Sequence, residues 1–274
     1  MPELPEIETV KRTLAPLISG ASITACRIER PQLIKHPSPE DFSAHIVGQK
    51  IVDTGRRGKF LLINLQSQDT LIAHLRMTGR MLCTPHEYPL LPHTHVIFEL
   101  DNDRELRFAD ARRFGCLWLK RADEEDDFTG ISRLGIEPFD DRFGPEYLKE
   151  KLSSRKVTIK QGILDQSVLA GLGNIYADEV LFAAGVDPTR KTDTITDEEW
   201  QKIAEAIPPI LLSSIANNGT TFSDYLDGEG HKGNNMPFLQ VYKRTGMPCN
   251  RCGTTIMKIK VGGRGTHFCP NCQK

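Results

Sequence analysis

The chain has 274 residues, with 39% hydrophobic and 26% charged residues, 22 Gly and 17 Pro. This is ordinary globular usage, which excludes disordered, collagen-like and coiled-coil classes. At ~100–200 residues per domain the length fits two domains. The net charge of −1 argues against a nucleic-acid binder only until it is mapped along the chain. Residues 122–150 hold ten acids and three bases, so this one stretch carries −7 and the remainder +6. Residues 240–274 hold seven bases and no acid. Distribution, not the sum, sets the field that a charged partner meets. No run approaches the ~18 apolar residues of a membrane span, and Ile207–Ala216 is short and carries Pro208 and Pro209. The acidic N-terminus lacks the basic-then-apolar order of a secretory signal, so a cytoplasmic protein is expected.

In chain order, Glu6–Leu17 reads as a helix, with Pro5 in its first turn and Ile7, Val10, Leu14 and Leu17 at helical spacing. From about Ile23 to Lys120 short alternating strands follow, among them Phe60–Leu65 and Thr70–Leu75, then Val96–Leu100 and Glu105–Phe108. This half is expected to be a β-sandwich with a flanking helix, spanning 1–132, and the acidic stretch within 122–145 the connection, assigned to 133–150. The second half reads as helical, with Tyr147–Leu152, Ile159–Asp165, Ile175–Ala184 and Asp197–Ala216 as helices in a domain spanning 151–238. Residues 217–235 break the pattern with Gly219, Gly228, Gly230 and Gly233, and are long enough to be a lid or a mobile loop.

Cys249, Cys252, Cys269 and Cys272 form C-x2-C-x16-C-x2-C, a spacing that brings two thiolate pairs to one tetrahedral zinc in a ribbon spanning 239–274. In a reducing cytosol zinc explains four such cysteines better than two disulfides. Four thiolates leave no open coordination position, so the ion is expected to be structural. Between the pairs, Gly262-Gly263-Arg264-Gly265 sets one arginine at a slim hairpin tip, suited to holding phosphate or entering a groove.

Pro2-Glu3-Leu4-Pro5-Glu6 admits two readings. The residues form a good helix start, with acids placed for the dipole. Removal of Met1 would also leave Pro2 as a secondary amine. An α-amino group titrates near ~8 against ~10.4 for lysine, so about two orders of magnitude more of it is neutral at pH 7. Such an amine attacking a sugar C1′ gives an iminium directly, with Glu3 and Glu6 near enough to move protons. The other basic motifs are equally double-edged. Arg56-Arg57-Gly58-Lys59 is a phosphate clamp or a solvated edge. Met77 after His74-Leu75-Arg76, and Phe114 after Arg112-Arg113, are wedges for a base stack or core residues. Gln166 to Ile175 is a phosphate-binding helix-turn-helix, with Asn174 capping its second helix, or only a packed hairpin.

Taken together, PELPEIE, RRGKFL, HLRMTGR, DARRFG, LDQ-x4-GLGNIYADE and the terminal ribbon with GRGTHFCP resemble the formamidopyrimidine-DNA glycosylase family across essentially the whole chain. The resemblance implies an α+β multidomain fold: an N-terminal β-sandwich, a helix-two-turn-helix domain and a zinc finger, with DNA held between domains. It implies a monomeric base-excision repair enzyme of the bacterial cytosol that removes 8-oxoguanine and ring-opened purines from double-stranded DNA and cleaves abasic sites. Pro2 would then be the nucleophile, Glu3 the acid/base and Glu6 its supporting carboxylate. Lys59 would meet the lesion-flanking phosphate and assist catalysis, as would Arg264. His74, His93, Arg112, Asn174, Tyr242, Lys258 and Arg264 match DNA-contacting or supporting positions. Met77, Arg112 and Phe114 match the trio that fills the gap, and 217–235 the loop over the everted base. The endonuclease VIII branch usually has Gly where Leu4 stands here. Some relatives carry Glu at Thr78, so contacts beside Met77 differ. One structural zinc ion is implied and no catalytic cofactor. A catalytically inert damage binder is the alternative from another class, and Pro2, Glu3 and Lys59 argue against it.

Overall fold

The structure is a computed structural model that describes residues 1–274, and these divide into two compact units. The first comprises Met1–Ser132 together with Asn217–Asn234. Helix α1 (Leu4–Ile18) opens it, followed by β1 (Ile23–Ile28), β2 (Ile34–His36), α2 (Pro39–Ile46), β3 (Ile51–Arg57), β4 (Phe60–Leu65), β5 (Thr70–His74), β6 (Gly79–Pro85), β7 (Thr94–Leu100), β8 (Arg104–Asp110) and β9 (Cys116–Lys120). They form a four-stranded sheet in the order β1-β7-β8-β6 and a five-stranded sheet in the order β2-β9-β5-β4-β3. Period-2 alternation directs Ile23, Met81, Phe98, Leu106 and Phe108 of one sheet and Leu61, Ile63, Leu71, Leu117 and Leu119 of the other into a single core. Ile7, Val10, Leu14 and Ile18 of α1 join that core at helical spacing, as expected from the sequence.

The segment 217–234 belongs to this unit, although in the chain it follows the helices. Tyr225 is buried in the sandwich core. Gly228 N–H donates to Thr13 Oγ1 at 2.8 Å, Cys83 N–H donates to the Gly228 carbonyl at 2.8 Å, and Arg80 Nε donates to the Asp224 carbonyl at 2.6 Å. A lid or a mobile loop was the expectation. The segment's backbone bonds to α1 and β6, and Gly228 lets it approach α1 where a side chain would be blocked. A Cβ at Gly228 would lie 2.6 Å from Leu14 Cγ.

The second unit is Arg133–Ala216 with Asn235–Lys274. It contains α3 (Pro145–Leu152), α4 (Ile159–Ile163), α5 (Asn174–Ala184), α6 (Asp197–Ala216) and a hairpin of β10 (Met257–Val261) and β11 (Arg264–Phe268). A capping box of Thr158 and Gln161 starts α4. Helix α5 packs against α6 and β11, and the Tyr176 and Ser214 hydroxyls satisfy one another at 2.6 Å inside that packing. In the hairpin, Gly262 (φ +54°) and Gly263 (φ +79°) supply the two left-handed turn residues that a tight two-residue connection needs. No helix is long and apolar enough to cross a membrane.

Candidate active site and nucleic-acid interface

In the first unit the chemistry-bearing residues gather at three places. At the start of α1, Pro2, Glu3 and Glu6 are all buried, with Glu3 2% and Glu6 1% exposed. Met1 precedes Pro2, whose nitrogen is therefore an amide in this chain. Glu3 N–H donates to Glu6 Oε2 at 2.8 Å, and Thr220 N–H donates to Glu6 Oε1 at 2.9 Å. Tyr225 Oη donates to the Glu6 carbonyl at 3.3 Å. Glu6 thus joins the helix start to the glycine-rich segment, which the helix-start reading alone does not require.

The second place is the β3–β4 turn. Gly58 and Lys59 connect Arg57 to Phe60, which pair across the hairpin. Arg56 Nε donates to Glu8 Oε2 at 3.0 Å and its NH1 to the Gly58 carbonyl at 3.2 Å. Burial pulls the Glu8 carboxyl upward, but hydrogen bonds from Arg12, Lys11 and Arg56 outweigh it and hold Glu8 ionised. Lys59 is buried. On the next strand, His74 is 7% exposed, its ring edge-on to Phe60 at 4.7 Å. Burial, then the positive charges of Arg76 and Lys59, push its pKa down to about 3. Nδ1 accepts from the Arg76 amide at 3.0 Å, so the neutral ring carries its proton on Nε2. His74 can therefore donate to a phosphate as a neutral hydrogen-bond donor and adds no positive charge.

The third place is a pair of loops. Met77 (41% exposed), Phe114 (52% exposed) and Arg112 stand in solvent, with the Arg112 guanidinium 4.7 Å from the centre of the Phe114 ring. Neither Met77 nor Phe114 is a core residue. His93, also exposed, has a left-handed backbone (φ +66°), and its carbonyl accepts from the Asp110 amide at 2.9 Å.

In the second unit, Asn174 was expected to cap α5. The cap position is Gly173, and Asn174 is the first helical residue. Its Nδ2 donates to the Gly265 carbonyl at 3.0 Å, which fastens α5 to the strand that Arg264 begins. Its Oδ1 is buried with no partner. Arg264 and Lys258 are exposed on the hairpin, and the Tyr242 ring lies 4.8 Å from that of His267. Beneath the hairpin is a network that the sequence did not single out. Lys160, 0% exposed, donates to Asp178 Oδ1 at 2.5 Å and to Thr266 Oγ1 at 2.8 Å. Asp178 Oδ2 accepts the His267 amide at 2.8 Å. Glu179 accepts the backbone amides of Gln240, Val241 and Tyr242 at 2.7–3.0 Å, and burial still draws its carboxyl upward. The signal in the sequence is slight: Lys160 beside Ile159, and the Asp178-Glu179 pair inside the largely apolar helix α5.

Cys249 and Cys269 are buried in an apolar cluster with Phe182, Val241 and Ile256. The four Sγ atoms lie within 4.8 Å of one another, with Cys249–Cys272 at 3.9 Å and Cys252–Cys269 at 3.5 Å. Four sulfurs ~2.3 Å from a tetrahedral zinc stand about 3.8 Å apart, so the set fits that ion.

Three family models match in chain order: the Formamidopyrimidine-DNA glycosylase N-terminal domain over residues 1–117, its H2TH domain over 134–225, and the Zinc finger found in FPG and IleRS over 246–274. A Formamidopyrimidine-DNA glycosylase of Pelotomaculum thermopropionicum is 48% identical over 100% of this chain and 99% of that protein. One from Geobacillus kaustophilus is 43% identical over the whole of both. Among solved structures, a Lactococcus lactis FPG mutant in complex with a Fapy-dG-containing DNA superposes with a TM-score of 0.93 at 36% identity, covering 100% of both chains. The MutM (FPG) protein of Thermus thermophilus superposes at 0.90 with 37% identity, over 99% of this chain and 98% of that one. The sandwich, the H2TH helices and the four-cysteine finger thus recur in one order across full-length relatives, and the chain belongs to the formamidopyrimidine-DNA glycosylase family.

Proposed function

We propose that this protein is a DNA glycosylase with abasic-site lyase activity, acting as a monomer in the cytoplasm on duplex DNA that contains 8-oxoguanine, formamidopyrimidines or abasic sites. The observation that carries the reading is the Glu3–Glu6 arrangement beside Pro2, in a chain alike over its full length to enzymes of that name and to proteins solved with Fapy-dG or abasic-site DNA.

The chemistry starts with loss of Met1, which turns the Pro2 amide into a secondary amine. Its lone pair attacks C1′ of the everted nucleotide. The bond from C1′ to the base breaks with its electrons leaving on the base, which takes up the proton that the Pro2 nitrogen releases; the nitrogen lone pair then opens the sugar ring as O4′ takes a proton, Glu3 serving as the donor. The product is an iminium between Pro2 and C1′. It acidifies the C2′ proton, whose removal expels the 3′ phosphate, a second elimination expels the 5′ phosphate, and water hydrolyses the remaining iminium to release the unsaturated aldehyde and restore the Pro2 amine. Glu6 fixes the Glu3 backbone, and Lys59, with Arg264, neutralises phosphate charge near the reacting sugar. His74, His93, Asn174, Tyr242 and Lys258 grip the backbone. Met77, Arg112 and Phe114 occupy the gap left by eversion, offsetting unstacking that costs a few kcal/mol.

A structural zinc held by Cys249, Cys252, Cys269 and Cys272 stabilises the finger and takes no part in bond breaking. The test is borohydride trapping on an 8-oxoguanine:cytosine duplex, with intact mass reporting the N-terminus. A covalent complex is expected with Pro2 at the terminus, and none with an uncleaved N-terminal extension. Equal trapping by the extended protein would overturn the Pro2 assignment.

A further inference from the structure

The two loops that present Met77, Arg112 and Phe114 are fastened to one another by a pair of side chains with no assigned role. Strand β8 ends at Asp110, and β6 begins at Gly79; these two residues face each other as the last pair of the sheet. Beyond that pair the chain leaves regular structure on both sides. Arg76 and Arg113 both adopt left-handed backbone, at φ +53° and +59°. Such positions cost non-glycine residues energy and persist where the surroundings over-determine them.

At Arg76 the amide is held by His74 Nδ1 at 3.0 Å, and at Arg113 the over-determination comes from Asp110. Its carboxylate is 0% exposed, yet its bonds run to the two loops. Oδ1 accepts from the Thr78 hydroxyl and from the Arg112 amide at 3.2 Å, and Oδ2 accepts from the Gly115 amide at 2.7 Å. The Thr78 oxygen in turn accepts from the Arg112 amide at 3.1 Å. Gly115 closes against this group so tightly that a Cβ there would lie 2.4 Å from Phe108 Cζ and 3.1 Å from Asp110 Oδ2. The carboxylate thus brackets the loop carrying Arg112 and Phe114, and Thr78 extends the bracket to the residue after Met77.

We propose that Asp110 and Thr78 are positioning residues, a latch that locks the Met77 loop and the Arg112–Phe114 loop in mutual register so that the three side chains enter a base stack as one rigid wedge. This rests on the gap-filling reading of that trio. Exposed side chains on independent loops would each lose conformational freedom on insertion, whereas a pre-fastened pair has lost it on folding. Thr78 is the better probe, because it is only partly buried while the backbone of Asp110 is part of the sheet.

The experiment compares wild type, Thr78→Val, Thr78→Ser and Phe114→Ala as full-length, zinc-loaded proteins. Amide hydrogen exchange of residues 110–115 without DNA reads the latch itself. Excision from 8-oxoguanine opposite cytosine and opposite adenine reads the wedge. Thr78→Val is expected to speed exchange at the Arg112 and Gly115 amides at least tenfold. It should also lower kcat/KM opposite cytosine about tenfold and narrow the cytosine-over-adenine preference. Thr78→Ser, which keeps the oxygen, should restore all three. Unchanged exchange in Thr78→Val overturns the latch. Faster exchange with unaltered excision and discrimination overturns its role in positioning. Phe114→Ala separates the underlying reading: if that variant excises and discriminates like wild type, the trio does not fill the gap, and the positioning role falls with it whatever the exchange data show.

Discussion

Glu6 and Thr220 lie 214 residues apart, and the Thr220 amide donates to Glu6 Oε1 at 2.9 Å while the Glu3 amide occupies Oε2 at 2.8 Å. One carboxylate therefore sets both the backbone next to Pro2 and the start of the 217–234 segment. In Glu6→Gln the amide group can accept from only one of the two N–H donors and turns its own NH2 toward the other. We expect a loss of about 1–3 kcal/mol in stability and a fall in borohydride trapping on the order of 10²-fold from misplacement at the reacting centre. Thermal unfolding and single-turnover trapping measure the two. Wild-type values for both would show that the bridge is dispensable.

His74 makes stability depend on pH. Its pKa in the fold is about 3, below the ordinary value of ~6.5. Between those values the folded state binds fewer protons than the unfolded one, so this contribution is complete above about pH 6.5 and is lost as pH falls. Acidification from about pH 7 to about pH 5 should remove about 2 kcal/mol from this group. Urea titrations of His74→Gln should show a shallower acid slope than wild type. Parallel slopes would mean that the histidine is not held neutral.

Asp178 compensates a fully buried cation. Asp178→Asn removes the carboxylate charge beside Lys160, and removing one member of a buried pair costs about 3–5 kcal/mol. The double variant Lys160→Met/Asp178→Leu should recover much of that loss. Because the same carboxylate holds the His267 amide, the single variant should also loosen β11 and weaken DNA binding through Arg264. A single variant as stable as wild type would remove the pair from any account of the hairpin.

Cys249→Ser should bind less than one equivalent of zinc and bind duplex DNA at least tenfold more weakly, while its Pro2 terminus remains chemically intact. Metal analysis and fluorescence anisotropy test this. Undiminished DNA affinity with zinc absent would show that the finger's grip is independent of the ion.

Features that depend on near neighbours were legible in the sequence. Helical spacing of Ile7, Val10 and Leu14, alternation in β7 and β8, and the paired CxxC spacing all state a local geometry, and the structure repeats it. Motif order carried the family. The tertiary structure alone decided which polar groups are used up and by whom. Arg56 lies in a basic run, yet Glu8 claims it. Asn174 stands at a helix start but serves a carbonyl 91 residues away. Asp110, one letter within DARRFG, turns out to organise two loops. A side chain's donors and acceptors are filled by whatever the fold brings within about 3 Å, and that proximity is a property of the packed chain, not of its spelling.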